Sequence, residues 1–369
     1  MDYSAVSVRF VSTRFILRSP FGETVTRDIA NGLWAEPTGD ADLKLGGREW
    51  AVPGLVDAHS HLATSELPTP TGGYQPGVLD EAVERARDAL SAGVTLLLDK
   101  GWCDKTVIDL MATMPEAERP EIEAAAQMIA VNEGYYPDFA LEIDAFEIGS
   151  VIAEQAAMGA GWVKLIGDWP RRGRGPVANF TEDQLRRAVE IAGESGSRVA
   201  IHTQAREVPS MAVAAGVHSI EHGLFLTDDD VVALAARVGM WVPTVLRIEE
   251  TITQIGVESS GGRLLTEGLA NTRRLLPQAI EAGVNVLAGT DLVGTPANVA
   301  NEAIKLGEYG LSNGQVVDAV ARAGFSATGR NFEFAVGTQA NAVLFPEDPI
   351  SDLEVLNHPA VIVRKGVVV

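Results

Sequence analysis

Two histidines stand one residue apart, His59 and His61, in the run Pro53-Gly-Leu-Val-Asp-Ala-His-Ser-His-Leu62. In a strand, side chains at i and i+2 share a face, so a strand here projects both imidazoles together, with Asp57 one step earlier on that face. Imidazole nitrogen suits zinc and similar metals, and each ligating ring needs a partner that fixes its tautomer. The pair alone is equally compatible with two histidines of no special role. The other histidines give it weight. The chain has six, and four of them, His59, His61, His202 and His222, fall at the C-terminal ends of apolar runs that read as strands, among them Arg198-Val-Ala-Ile-His202 and Val217-His-Ser-Ile-Glu-His222. His218 and His358 do not fit this pattern and read as structural or surface residues.

Two further residues carry chemistry. Asp291 closes Leu287-Ala-Gly-Thr-Asp291, placing a short carboxylate after small residues at a strand end. Lys164 lies inside Gly161-Trp-Val-Lys-Leu-Ile-Gly167, and an unpaired ammonium in an apolar strand is costly. Two readings of it stay open. Its side chain reaches water or pairs with Asp168, or CO2 carbamylates it into an anionic oxygen ligand able to bridge two metals.

Such a set needs a scaffold that gathers strand ends. From about residue 51 the chain alternates short apolar runs, read as strands over 51–57, 94–99, 124–131, 162–167, 198–202, 217–221, 240–244 and 284–290, with stretches of helical period. The clearest of these are 78–92, 141–158, 181–194, 228–238 and 263–282. Ala-Gly-Val junctions at 92–94, 215–217 and 282–284 read as helix-ending glycines feeding buried strands, and Thr181 with Gln184 reads as a capping box. Eight alternations predict a (β/α)8 TIM barrel, whose functional groups sit at strand C-termini; a doubly wound open sheet would alternate similarly. Val6–Val11, Arg14–Leu17, Ala340–Phe345 and Ala360–Val369 are strand-like. The expected division is therefore a barrel over 51–335, with residues 1–50 and 336–369 pairing as a small β-sandwich accessory domain.

Composition sets limits. The 369 residues carry 50 Asp+Glu against 29 Lys+Arg, a formal charge of −21, which disfavours nucleic-acid phosphates and anionic lipid surfaces as partners. A small-molecule substrate fits better, and a homo-oligomer is neither required nor excluded. Cys103 is the only cysteine, so a Cys-rich zinc module is out, and it reads as inert. No basic-then-apolar leader opens the sequence, and the expected location is cytoplasmic.

Together these landmarks resemble the amidohydrolase superfamily. The run ending in His59-Ser-His61, Val-Lys164-Leu, Ile-His202, Ile-Glu-His222-Gly and Ala-Gly-Thr-Asp291 stand in that family's order over residues 51–335. The runs Ala214-Ala-Gly-Val-His-Ser-Ile-Glu-His-Gly223 and Trp241-Val-Pro-Thr244 are similar to the prolidase and imidazolonepropionase-like branch. The resemblance implies one divalent metal on His59, His61 and Asp291, a second on His202 and His222, and a carboxylated Lys164 bridging them. Zinc is the common choice, while manganese, iron and cobalt also suit mixed His/carboxylate sites. It further implies hydrolysis of a C–N bond in an amide, peptide-like group or cyclic amide, with Asp291 as general base and then acid. Deaminases of the superfamily tend to carry Glu three residues after the fifth-strand His and to lack the lysine. Here that position is Ala205, so a mononuclear deaminase is the second reading and a catalytically inactive interaction protein the third. The C-terminal run Gly337-Thr-Gln-Ala-Asn-Ala-Val-Leu344 departs from the family's usual Ala-Asp-Leu pattern. For the substrate, Arg171, Arg172 and Arg174 are candidate carboxylate partners in the loop after the fourth strand. Tyr135, Tyr136 and Trp102 are candidate pocket walls.

Overall fold

The computed structural model describes residues 13–64, 76–171 and 174–369. The expected strand Val6–Val11 and the candidate Arg172 lie outside the described residues. Four strands open the described chain, Thr13–Arg18 (β1), Thr24–Ala30 (β2), Leu33–Ala35 (β3) and Leu43–Val52 (β4). Then follow Leu55–Ser60 (β5), Val94–Asp99 (β6), Glu121–Ala124 (β7), Met128–Val131 (β8), Leu141–Ile143 (β9) and Trp162–Ile166 (β10). After a short antiparallel pair, Asp168–Arg171 (β11) and Gly175–Ala178 (β12), come Arg198–Thr203 (β13), Ser219–His222 (β14), Met240–Val242 (β15) and Asn285–Val286 (β16). Ala342–Phe345 (β17), Val361–Arg364 (β18) and Val367–Val368 (β19) close the chain.

The two β-rich ends pair with each other. A seven-stranded sheet runs β19-β18-β17-β4-β1-β2-β3, with β17 antiparallel to β4. The middle of the chain forms two parallel sheets, β5-β6-β7 and β16-β15-β14-β13-β10-β8-β9. Strands such as Val94-Thr-Leu-Leu-Leu-Asp99 are buried along their whole length, as expected where helices cover a parallel sheet.

Among the described residues no continuous ladder joins these two sheets; a few backbone bonds do. At one junction Ala58 N–H donates to the Ala288 carbonyl at 2.9 Å and Asp291 N–H to the His59 carbonyl at 2.8 Å. At the other, Ala124 and Ala160 exchange bonds of 2.9 and 2.7 Å. Alternate residues Val56 and Ala58, Leu96 and Leu98, and Met240 and Val242 share one inner cluster with Trp162, Ala200, Leu287 and Phe325, and Phe332 packs against it. Their neighbours Leu55, Leu97 and Trp241 turn outward into the larger cluster beneath the helices.

Helices form where apolar spacing and end signals agree. Glu182–Glu194 starts at the Thr181/Gln184 capping box and buries Leu185, Ala188, Ile191 and Ala192 along one stripe. The helix Ser260–Ala282 ends on Gly283 at φ +96°, a left-handed turn that glycine adopts without a Cβ clash. Three expectations change. The strand expected over 124–131 divides into β7 and β8, because Gln127 N–H turns to the Gln155 side-chain carbonyl at 3.0 Å instead of a neighbouring strand. The helix expected over 141–158 is strand β9 followed by a helix that starts only at Ile148, behind the Asp144/Glu147 capping box. The eighth run, expected over 284–290, forms a regular strand only at Asn285–Val286; beyond it single backbone bonds continue, Leu287 N–H to the Trp241 carbonyl at 3.0 Å and Ala58 N–H to the Ala288 carbonyl. Among the described residues, no helix is long and apolar enough to cross a membrane.

Candidate metal centre

His59 lies in β5 and His61 one residue beyond its end, with ring centroids 5.3 Å apart. Nε2 of each ring is 3.5 Å from Asp291 Oδ1. The three side chains each offer a ligand atom within 4.8 Å of the others, a grouping that could hold a metal ion. Asp57 does not point at this cluster as a ligand. Its carboxylate accepts from Thr290 Oγ1 at 2.6 Å and from the amides of Thr290 and His59 at 3.1 Å. It thereby ties β5 to the segment that ends in Asp291.

Hydrogen bonds fix which nitrogens keep lone pairs. His61 Nδ1 is 2.7 Å from the Gly101 carbonyl; a carbonyl only accepts, so Nδ1 carries the proton and Nε2 is free to ligate. His222 Nδ1 lies 2.6 Å from Thr244 Oγ1, whose own hydrogen goes to the Pro243 carbonyl at 2.8 Å. The hydroxyl therefore accepts from Nδ1, and His222 Nε2 keeps its lone pair. That atom is 2.9 Å from His202 Nδ1. Moving the single proton between them to His202 Nε2, which has no partner among the described residues, leaves two lone pairs side by side. This donor chemistry fits a divalent cation.

Lys164, in β10, is 2% exposed, and its Nζ has no hydrogen-bond partner among the described residues. The pairing with Asp168 is not made. Asp168 instead accepts the amides of Gln204 and Ala205, each at 2.9 Å. Burial, with a push from the Lys100 cation and against the pull of Glu221, lowers the Lys164 amine to about 8. The free-amine fraction near neutrality is correspondingly raised. Burial also lowers His59 to about 4 and His222 to about 3, so both rings are neutral ligand forms. For Asp291, burial pulls upward, but the attraction of His59 in its protonated form and a hydrogen bond from His61 outweigh it and hold the carboxyl well below the usual range.

The backbone is also unusual here. His222, Thr244, Asp291 and Leu292 adopt φ of 64°, 48°, 42° and 64°, a region that costs a residue with a Cβ about 1–3 kcal/mol.

Sequence reasoning missed three charged residues. Glu221 is fully buried, with Oε2 at 2.8 Å from His59 Nδ1, though off the direction of a good hydrogen bond, and Oε1 3.3 Å from Lys100 Nζ. The signal that singled out Lys164, a charge inside an apolar strand, applies equally to Glu221 in Ser219-Ile-Glu-His222. The third is Arg247, in the helix Val245–Ile255. It lines the same cleft as all six candidate ligands, together with Trp102, Tyr135, Tyr136 and Trp169. Counting its open mouth, the cleft encloses about 660 Å³, suited to a small molecule. Of the candidate arginines, Arg171 donates to Asn179 Oδ1 at 2.9 Å and Arg174 is exposed; neither is among the described residues lining the cleft. Burial pushes the Cys103 thiol up to about 12, leaving it unreactive. A larger space of about 960 Å³ is lined by residues of the terminal sheet with Phe332 and Phe334, and no histidine is among its described lining residues.

The pattern of the amidohydrolase family matches residues 50–369. An uncharacterized protein of Mycobacterium tuberculosis (strain ATCC 25618 / H37Rv) is 31% identical over 345 residues, covering 90% of this chain and 88% of its own length. An imidazolonepropionase of Paenarthrobacter aurescens (strain TC1) is 24% identical over 277 residues, 68% of this chain and 63% of that protein. Among solved structures, a Xaa-Pro dipeptidase with bound methionine superposes with a TM-score of 0.82 at 18% identity, over 97% of this chain and 99% of that one. At that identity the likeness is one of fold.

Proposed function

This chain belongs to the amidohydrolase family, and we propose from that premise that it hydrolyses a C–N bond with the help of divalent metal held at the mouth of a (β/α)8 barrel over residues 51–335, flanked by an accessory domain from 1–50 and 336–369. Family membership and neighbours named for dipeptide and imidazolone hydrolysis support a hydrolase acting on C–N bonds. The observation that carries the metal-dependent reading is one cleft lined by four histidines, Asp291 and an unpartnered lysine.

His59, His61 and Asp291 would hold one ion, His202 and His222 a second, with Lys164 between. In the bridging form the neutral Lys164 Nζ attacks the carbon of CO2, an N–C bond forms, and the proton leaves to solvent, giving a carbamate anion. The buried, unpartnered amine supports this reading. Zinc is the metal we expect. Bound there, divalent metal supplies Lewis acidity, polarising the scissile carbonyl and lowering the pKa of water toward ~7.

The chain's own residues do the rest. Asp291, held ionised, accepts the proton of the attacking water and returns it to the leaving amine. Gly101 and Thr244 hold the rings of His61 and His222 in their ligating tautomers. Trp102, Tyr135 and Tyr136 wall the cleft against water.

Metal analysis of the purified protein, with intact mass, tests the reading. Two metals per chain and the added mass of one CO2 are expected, and Lys164→Ala should lose both the added mass and most of the metal. A single metal on an unmodified lysine would overturn the bridged centre and move the protein toward mononuclear chemistry.

A further inference from the structure

Arg247 is 6% exposed, stands in the first turn of the helix Val245–Ile255 and is among the residues lining the cleft of the candidate ligands. One of its nitrogens, Nη2, meets Glu250, a half-exposed residue on the same helix. The other two, Nε and Nη1, are buried with no hydrogen-bond partner among the described residues. A guanidinium stays charged in proteins and offers donors only. Burying it with two nitrogens unmet is unfavourable unless something else meets them.

The residue is held in place rather than draped over the surface. Thr244 turns the chain with left-handed φ at the helix start, and Glu302, from the helix Val299–Glu308, accepts the amides of Val245 and Leu246 at 2.7 and 2.9 Å. Thr251 Oγ1 donates to the Arg247 carbonyl at 2.8 Å. The first turn is thus fastened from behind, and the unmet donors are preorganised.

Opposite chemistry lies in the same cleft. Tyr135 and Tyr136 each pack on Trp169 with ring centroids 4.6 Å apart, and Trp169 stands 6.0 Å from His202. This is a continuous aromatic wall beside the candidate metal ligands. In a chain of formal charge −21, an anionic substrate needs a local cation to be held.

We propose that the cleft selects amides that carry a free carboxylate and a planar apolar group, with Arg247 as the carboxylate-binding residue and Tyr135, Tyr136 and Trp169 as the apolar wall. The assignment rests on the cleft being the hydrolytic site. It places the cationic contact on Arg247, after β15, rather than on Arg171 or Arg174.

Binding of N-benzoylglycine and of its carboxamide to the metal-loaded protein, measured by calorimetry on the Asp291→Asn variant so that no turnover interferes, tests it. The carboxylate should bind about 10- to 100-fold more tightly than the carboxamide, the range expected of charge-assisted hydrogen bonds. Arg247→Gln should abolish that preference while leaving carboxamide binding unchanged, and Arg247→Lys should restore part of it. With Asp291 intact, the loss on carboxylate substrates in Arg247→Gln should fall on KM rather than kcat. Equal affinity for the two probes before any substitution at Arg247 overturns the proposal, even where Arg247→Gln fails to fold. So does an equal loss for both probes in a folded Arg247→Gln variant. Carboxylate-selective, Arg247-dependent binding without hydrolysis of any amide by wild-type protein would leave this inference standing and overturn the hydrolytic reading. Hydrolysis indifferent to the carboxylate would do the reverse.

Discussion

The two ends of the same parallel strands are built on opposite principles. Where β10 and β13 begin, charges satisfy one another. Glu123 Oε2 accepts from the Trp162 indole at 2.6 Å and from Arg198 at 3.2 Å, while its Oε1 accepts from Arg330 at 2.6 Å. Arg330 reaches Glu121 as well. At the C-terminal ends polar groups are gathered and left unmet: Lys164 Nζ and His202 Nε2 have no partner among the described residues, and the backbone of His222, Thr244 and Asp291 is left-handed. Trp162 joins the two worlds, its indole N–H bonded to Glu123 and its ring 4.2 Å from the Lys100 ammonium. One end is arranged to stay folded. The other holds unsatisfied groups at a cost in stability, as the proposed ligand site would require.

Substitutions at each end should therefore separate. Asp291→Asn is expected to lower kcat about 10³-fold while thermal stability and metal content stay near wild type. A wild-type rate in a steady-state assay would remove Asp291 from its role. Glu123→Ala should do the converse: leaving Arg198, Arg330 and the Trp162 indole without their shared acceptor should cost about 2 kcal/mol in urea unfolding, with kcat/KM unchanged. Lost activity at unchanged stability would show that the two ends are not separable.

The smallest effect concerns His218, at the entry to β14. Its Nδ1 accepts the Val199 amide at 3.1 Å, and burial, with the nearby Arg237 and Arg198 charges, lowers its pKa to about 4. The unfolded chain binds a proton at about 6.5 and the folded chain does not, so stability is full above pH 6.5 and falls as pH drops toward 4. The contribution should be on the order of 1 kcal/mol, given the partly exposed ring. His218→Gln should flatten the decline in melting temperature between pH 7 and 5; an unchanged slope would assign that decline to other groups.

Much of the site was legible because its residues break local rules. A lysine amid Trp162-Val-Lys-Leu-Ile166 and histidines ending apolar runs stand out against their neighbours without any knowledge of the fold. Glu221 carries the same signal but stands beside His222, whose imidazole masks it. Arg247 carried none. In Val-Leu-Arg-Ile-Glu-Glu it looks like any helical arginine with an acidic partner three residues on, and only packing shows that it is buried. The loop arginines carry a chain-local signal, because they follow a strand end. Arg171 is not among the described residues lining the cleft: its Nη2 donates to Asn179, which also bonds the Gly134 and Ile166 carbonyls at 2.9 and 2.7 Å, and its Nη1 is buried with no hydrogen-bond partner among the described residues.

Helix starts and stops were set by nearest neighbours in the chain, as at Thr181/Gln184 and Gly283, because caps are local hydrogen bonds. Strand limits were not. Where β7 ends and β8 begins depends on Gln155, distant in sequence, taking the Gln127 amide. The sequence by itself determined the alternation of elements and the residue types able to bind metal, since periodicity and side-chain chemistry belong to the chain. Only the tertiary structure decided which nitrogens of His61 and His222 are free and which arginine lines the cleft. Both depend on partners as remote as Gly101, Thr244 and Glu302, and no spacing along the chain encodes a contact made through space.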